Sequence, residues 1–293
     1  MVQLARFSSM LRAALDGGYA VPAFNVYSME SIVAVFKVAK SLEAPSILAL
    51  GERYFQNMRP ATARALVDSL LQTNGLDNGC CQIGLHLDHA TDPLSCHEAI
   101  QAGFTSVMID TSDLPFEEQI EIKRQVVEDA HVKGVEVEAE LGGLAAGDAS
   151  HEFSTGVERL TDPEQAYEFV ERTGIDALAV SVGTVHGLYR GEPHIDLKRL
   201  EAIRSKVSTP LVLHGGSGTP EDLIRAAIAR GIAKINVNTE VSLAAIQRLR
   251  EELGARPDIH MADVSKVAIQ AMEETIVEYV SRFNASHRLV IGT

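Results

Sequence analysis

The sequence predicts a single (β/α)8 barrel. Three observations carry that reading. Eight short β-branched or apolar runs recur along the chain, helical patterns alternate with them, and chemically capable side chains gather at the C-terminal ends of the runs. Strands alternating with helices build a parallel sheet, and eight such units close into a barrel whose active sites form on the C-terminal rim. At 293 residues the chain exceeds the roughly 250 of a typical barrel. One domain is therefore expected over residues 1–293, with a helical extension over about 263–283.

In chain order the runs are VPAFNVY from Val21, PSILALG from Pro45, QIGLHLDH from Gln82 and SVMID from Ser106. VEVEAELG follows from Val135, ALAVSVG from Ala177, PLVLHGG from Pro210 and KINVNTE from Lys234. Several are apolar on both faces, as strands buried under helices must be. Between them, Leu197, Leu200, Ile203 and Val207 share one helical face. Thr219-Pro220-Glu221-Asp222 reads as an N-cap, a proline at the first helical position and an acidic capping partner. Asp162-Pro163 starts another helix and Gly174 ends it. An open doubly wound sheet would place a glycine-rich turn after its first strand; here that position reads Tyr27-Ser28-Met29-Glu30.

The net charge of −14 excludes nucleic acid and anionic membrane as expected partners. An anionic substrate must then be drawn in by a local feature. Cys80, Cys81 and Cys96 form no C-x-x-C pair, which points to a reduced, cytoplasmic setting. The segment MVQLARFSSMLRAALDGG is too polar for a signal peptide, and no apolar run reaches 18 residues, so no membrane span is expected.

On the predicted rim, strand three ends in Asp88-His89 and strand five carries Glu138 and Glu140. His186 follows strand six, His214 ends strand seven, and strand eight carries Asn236, Asn238 and Thr239. Three histidines on one rim suit a divalent metal, with zinc the first expectation, and leave a coordination position for substrate. Alternation sends Asp88 and His89 to opposite faces, so both reach one site only if the strand ends there and the chain turns at Thr91-Asp92-Pro93. His86 reads as an inner structural residue, and His97, His131, His194, His260 and His287 fall on helices or outer loops with no assigned role. His214-Gly215-Gly216-Ser217-Gly218 places small residues where barrels hold phosphate.

These blocks resemble the class II fructose/tagatose-bisphosphate aldolases. The resemblance rests on HLDH at 86–89, EAELG at 138–142, SVGTVHGLYRGEP at 181–193, PLVLHGGSG at 210–218 and KINVNTE at 234–240, supported by VPAFN at 21–25 and GFTSVMID at 103–110. It implies zinc on His89, His186 and His214, one ion per subunit, with Glu140 able to approach it, Glu138 near a secondary metal position, and room for a monovalent cation. It implies Asp88 as the acid/base at the C4 hydroxyl and Asp110 as a carboxylate behind the ligands. Gly187, Gly215, Ser217, Asn236, Asn238 and Thr239 would hold the dihydroxyacetone-phosphate half. The substrate would be a small phosphorylated sugar and the assembly a homodimer or homotetramer. A lysine Schiff-base route is disfavoured independently: the only strand lysine, Lys234, is read as lying at the wrong end of the barrel.

Two departures stand out. The family's Gly-Gly and acidic pair after EAELG become Ala145-Ala146-Gly147-Asp148, which leaves Asp148 as the nearest candidate for a second acid/base and Glu152 as another. Strand two ends in Leu50-Gly51-Glu52-Arg53, where members often carry a serine for the aldehyde-side phosphate. The first expectation is cleavage of a ketose 1,6-bisphosphate to dihydroxyacetone phosphate and glyceraldehyde 3-phosphate. The alternatives are an aldolase for another phosphorylated ketose, a catalytically silent sugar-phosphate-binding paralogue and, furthest off, a metal-dependent hydrolase on the same barrel.

Overall fold

The computed structural model describes residues 4–74, 82–150 and 158–285. Eight strands form a closed barrel: β1 (Val21–Asn25), β2 (Ser46–Gly51), β3 (Ile83–Ala90), β4 (Ser106–Ile109), β5 (Glu136–Leu141), β6 (Ala177–Val180), β7 (Leu211–Leu213) and β8 (Ile232–Val237). Each pairs in parallel with its sequence neighbours, and β1 closes on β8 through Val21↔Lys234 to Phe24↔Val237. All eight fall within or against the predicted runs. Most runs end later than their strands because the residues beyond turn into the rim loops; β3 instead continues one residue past its run, to Ala90. A separate parallel ribbon, Ala145–Ala146 with Val185–His186, stands above the barrel and was not predicted. Its strands are too short to carry a period-2 signal.

The helices are α1 (Phe7–Gly17), α2 (Met29–Leu42), α3 (Pro60–Asn74), α4 (Pro93–Ala102), α5 (Phe116–His131), α6 (Pro163–Thr173), α7 (Leu197–Lys206), α8 (Glu221–Ile228), α9 (Thr239–Ala255) and α10 (Met261–Arg282). α6 starts as expected, with Asp162 accepting from the N–H groups of Glu164 and Gln165, and stops at Gly174 with φ 71°. The expectation at α8 needs correction. Thr219 is not its N-cap; the helix starts at Glu221, and the Thr219 hydroxyl instead donates to the Gly215 carbonyl. The glycine loop above β7 captures that hydroxyl before the helix can use it.

Two cores result. The larger lies between strands and helices. The smaller fills the N-terminal end of the barrel, where Phe7, Met10, Leu11 and Ala14 of α1 meet Val21, Ala23, Ile47, Ala177, Ala179, Val212 and Ala233. α1 is amphipathic and ends at Gly18 in the left-handed region, φ 67°. Burying each of its large side chains contributes about 1.5–3 kcal/mol. Small strand residues facing it leave room for the plug. The extension predicted over 263–283 is α10, which packs on α9 and α2 outside the barrel. Lys37 pairs with Glu273 at 2.8 Å, and Ser265 donates to Glu30 at 2.8 Å. No helix among the described residues is long and apolar enough to cross a membrane.

Candidate active site

The conflict between Asp88 and His89 is resolved by a bulge, not by the strand's end. β3 continues to Ala90, and its register with β4 shifts from Leu87↔Val107 to Ala90↔Ile109, three steps against two. One extra residue is thus accommodated. His89 takes φ 46°, the left-handed region. That turn brings His89 toward the rim beside Asp88, and both are buried. Beyond it Asp92 caps α4 by accepting from the Leu94 N–H at 2.9 Å.

His89 Nδ1 lies 3.2 Å from Asp110 Oδ2, and its Nε2 lies 2.9 Å from His214 Nδ1. His214 Nε2 lies 2.8 Å from Glu138 Oε1. The rings of His89 and His186 meet edge-on at 5.1 Å between centroids. One nitrogen from each of His89, His186 and His214 and one oxygen of Glu140 lie within 4.8 Å of one another, all in buried residues. Glu140 Oε2 has no hydrogen-bond partner among the described residues, and His214 Nδ1 stands 3.8 Å away. Burial and the Asp110 charge push the Glu140 carboxyl up, while the histidines oppose them. A buried carboxylate oxygen left without a donor among imidazole nitrogens is the arrangement a divalent cation satisfies. The donor set therefore fits a metal.

Asp88 is held from both sides. Asn25 Nδ2 donates to Oδ2 at 2.9 Å and Asn236 Nδ2 donates to Oδ1 at 3.1 Å. Burial opposes its charge, but His89, His214 and Lys234 outweigh burial and keep the carboxyl below the usual range. Asn236, expected to hold the dihydroxyacetone-phosphate part, thus also orients Asp88, and its Oδ1 has no hydrogen-bond partner among the described residues. Asp110 is also held low: burial opposes ionisation, and the hydrogen bond and charge of His89 and the Ser112 N–H overcome it.

Lys234 is not at the far end of the barrel. It is fully buried inside it, with Nζ 2.8 and 3.0 Å from the two oxygens of Glu138. Glu138 is therefore engaged by Lys234 and His214 and stands behind the metal-ligand group, outside the four residues that compose it. His86 lies one layer lower. Its Nδ1 pairs with Ser106 at 2.8 Å, its ring stacks on Phe7 at 5.4 Å, and burial with the nearby Lys234 charge depresses it to about 4.

The glycines beside the histidines have conformational reasons. Gly187 (φ 96°) and Gly215 (φ 71°) lie in the left-handed region, and an added Cβ would come within 2.5 Å of the Asp148 carbonyl oxygen and 2.2 Å of the Val185 carbonyl oxygen respectively. Ser217 is buried and accepts from the Asn238 N–H at 3.4 Å, while the Asn238 amide donates to Tyr54 Oη at 3.1 Å. Thr239 opens α9, so the helix N-terminus faces the glycine loop side of the site. Asp148 does not join the group. It is an exposed ion pair with Arg190 at 2.7 Å, because Asp148 and Leu188 are joined by backbone hydrogen bonds that leave the side chain outside. Glu152 and His287 lie outside the described residues. His97 and His194 are exposed, His131 pairs with Asp176, and His260 caps α10.

Sequence reasoning missed three contributors. Asn25 ends β1, and the strand-end rule that found the histidines would have found it. Tyr54 lies in the loop after β2, where an added Cβ at Gly51 would meet its ring at 3.2 Å; the cleft over Asp88 and His89 is lined by Asn25, Gly51, Glu52, Arg53 and Tyr54. Lys123, inside α5, donates to Thr111 and is depressed to about 8 by burial, with Asp110 and Glu140 opposing. No sequence signal marks it. A roomier cavity of about 470 Å³, lined by Phe116, Gln119, Arg159 and Asp162 among others, holds none of the predicted site residues.

A closed parallel barrel with three buried histidines and a buried glutamate grouped at its C-terminal rim defines a barrel enzyme whose site could hold a metal ion. The chain belongs to the class II fructose-bisphosphate aldolase family, whose model matches residues 5–288, and is thus a class II aldolase, a lyase. It is 40% identical over 291 residues to a probable fructose-bisphosphate aldolase of Bacillus subtilis, covering 97% of this chain and 99% of that one. It is equally identical to a fructose-bisphosphate aldolase of Geobacillus stearothermophilus, covering 97% and 98%. Among solved structures, the YdjI aldolase from Escherichia coli K12 superposes with a TM-score of 0.85 at 32% identity, covering 98% of this chain and 99% of that one.

Proposed function

We propose that the protein reversibly cleaves a ketose 1,6-bisphosphate, of fructose or tagatose type, into dihydroxyacetone phosphate and glyceraldehyde 3-phosphate, with one zinc ion per subunit. The carrying observation is Asp88: a buried carboxylate fixed by Asn25 and Asn236, beside the His89–Glu140–His186–His214 group. The relatives named for fructose bisphosphate support the substrate class.

His89, His186 and His214 would hold the ion, with Glu140 in reach; when bound, it supplies Lewis-acid polarisation of the C2 carbonyl. Asp88 accepts the C4 hydroxyl proton as the C3–C4 bond breaks and returns it in the reverse direction. The two amides keep both its oxygens oriented for that transfer. Gly187, Gly215 and Ser217, with Asn236 on β8 and Asn238 and Thr239 at the start of α9, hold the dihydroxyacetone-phosphate half through small residues, polar side chains and helix N–H groups. Residence in the cytoplasm and a homodimeric or homotetrameric state complete the proposal.

One observation favours a second reading, another phosphorylated ketose. The Tyr54 ring fills the space above Gly51, on the aldehyde side. Dihydroxyacetone phosphate release from fructose and tagatose 1,6-bisphosphates, with and without chelator and zinc add-back, decides between them. Chelator-sensitive release is expected. No release by zinc-loaded protein from either sugar would overturn the bisphosphate assignment and leave the second reading.

A further inference from the structure

We propose that Lys234 is a positioning residue for His214: by clamping Glu138 from inside the barrel, it sets the direction in which His214 presents Nδ1 to the metal group. The inference rests on the metal reading above. Lys234 on β8 reaches across the barrel to Glu138 on β5, and neither side chain has exposed surface. A carboxylate's terminal torsion is soft. One ammonium at 2.8 and 3.0 Å from the two oxygens removes that freedom. The clamped Oε1 then sits 2.8 Å from His214 Nε2, so the ring donates there and its other nitrogen faces His89 Nε2 at 2.9 Å. A hydrogen bond behind a ligating histidine fixes its tautomer and ring orientation.

A purely structural role explains the pair poorly. A buried ion pair adds little net stability over an apolar pair of similar volume, although removing one partner alone leaves the other charge buried and destabilises. The layer immediately below is packed with alanine and valine around α1, so an apolar side chain at position 234 would extend an existing apolar core. The competing partner is also visible. His86 Nε2 lies 3.9 Å from Glu138 Oε2 and has no hydrogen-bond partner among the described residues. Without Lys234, Glu138 is drawn toward His86 and away from His214.

The test is Lys234→Met in the full chain, stripped of metal. Zinc affinity is read by competition with a chromogenic chelator, ligand geometry by the visible absorption of the cobalt-loaded protein, and folding by thermal unfolding of the metal-free form. Zinc affinity about 10–100-fold weaker is expected, with an altered cobalt spectrum and a metal-free protein that is folded but has a lower thermal midpoint, because Glu138 loses its buried cation. In a Glu138→Gln background the same change should cost much less, because the residue it acts through is already altered. Wild-type zinc affinity and cobalt spectrum in Lys234→Met would overturn the proposal, as would an equal loss in both backgrounds. If Lys234→Met does not fold, Lys234→Gln, which keeps a donor toward Glu138, replaces it, with a smaller loss expected and the same overturning results. Failure of the wild type to bind one zinc per chain would instead sink the metal reading itself.

Discussion

The two ends of the barrel interior are built on opposite principles. The N-terminal end is closed by α1, whose Phe7, Met10 and Leu11 pack against alanines and valines of the strands. The C-terminal end buries Asp88, His89, Glu138, Glu140, His186, His214 and Lys234. Apolar packing releases free energy as surface leaves water, whereas burying charge costs free energy unless each group finds a partner. Stability is therefore expected to come from the plug and reactivity from the rim. His86 is the joint, stacked on Phe7 below and 3.9 Å from Asp88 and Glu138 above.

The sharpest way to break this contrast is at Asp88. Asp88→Ala should lower kcat by about 10²–10⁴-fold, the range for losing a general acid/base. Its thermal midpoint should fall only modestly, by the loss of the acceptor that Asn25 and Asn236 share. A stability loss comparable to a core truncation would show that the rim also holds the fold together. The mirror change is Phe7→Ala, expected to cost about 3–5 kcal/mol in urea unfolding while kcat per folded molecule stays at the wild-type value.

The joint gives a pH signature. His86 is depressed from 6.5 to about 4 by burial first and Lys234 second. The unfolded chain takes its proton near 6.5, but the folded protein resists it until about 4. Its contribution is thus complete above pH 6.5, declines as pH falls toward 4 and is gone below that, by at most about 3 kcal/mol. Unfolding of the metal-free protein from pH 7.5 to 4 should show that slope, and His86→Gln should flatten it. The smallest expected effect is at Tyr54. Tyr54→Phe removes the hydroxyl that accepts from Asn238, a loss of about 0.5–1.5 kcal/mol read as a KM about 2–10-fold higher with unchanged kcat.

Much of both ends was readable in advance, but unequally. All eight strands appear where β-branched runs were found, because parallel strands covered on both faces must be apolar. The plug went unread: Phe7, Met10 and Leu11 form a helical stripe, yet nothing in their spacing says that the stripe enters a barrel. At the rim, the strand-end rule located His89, His186, His214 and Glu140, which the structure brings together. Asn236, found by the same rule, directs its amide to Asp88, and Asp148, suggested by the resemblance, pairs its carboxylate with Arg190 outside.

What the sequence by itself determined is the set of residues delivered to one rim, since in a parallel barrel every strand's C-terminal end reaches the same face. Which of them touch was decided only by the tertiary structure. The left-handed turn at His89 arises from a mismatch of register between β3 and β4. The Lys234–Glu138–His214 chain joins β5 to β8 and to the end of β7, across 96 and 76 positions of sequence. Strand alternation tells which side of its own strand a residue occupies. Only barrel closure and stagger set its depth, and depth decides whether a charge inside the barrel is stranded or paired.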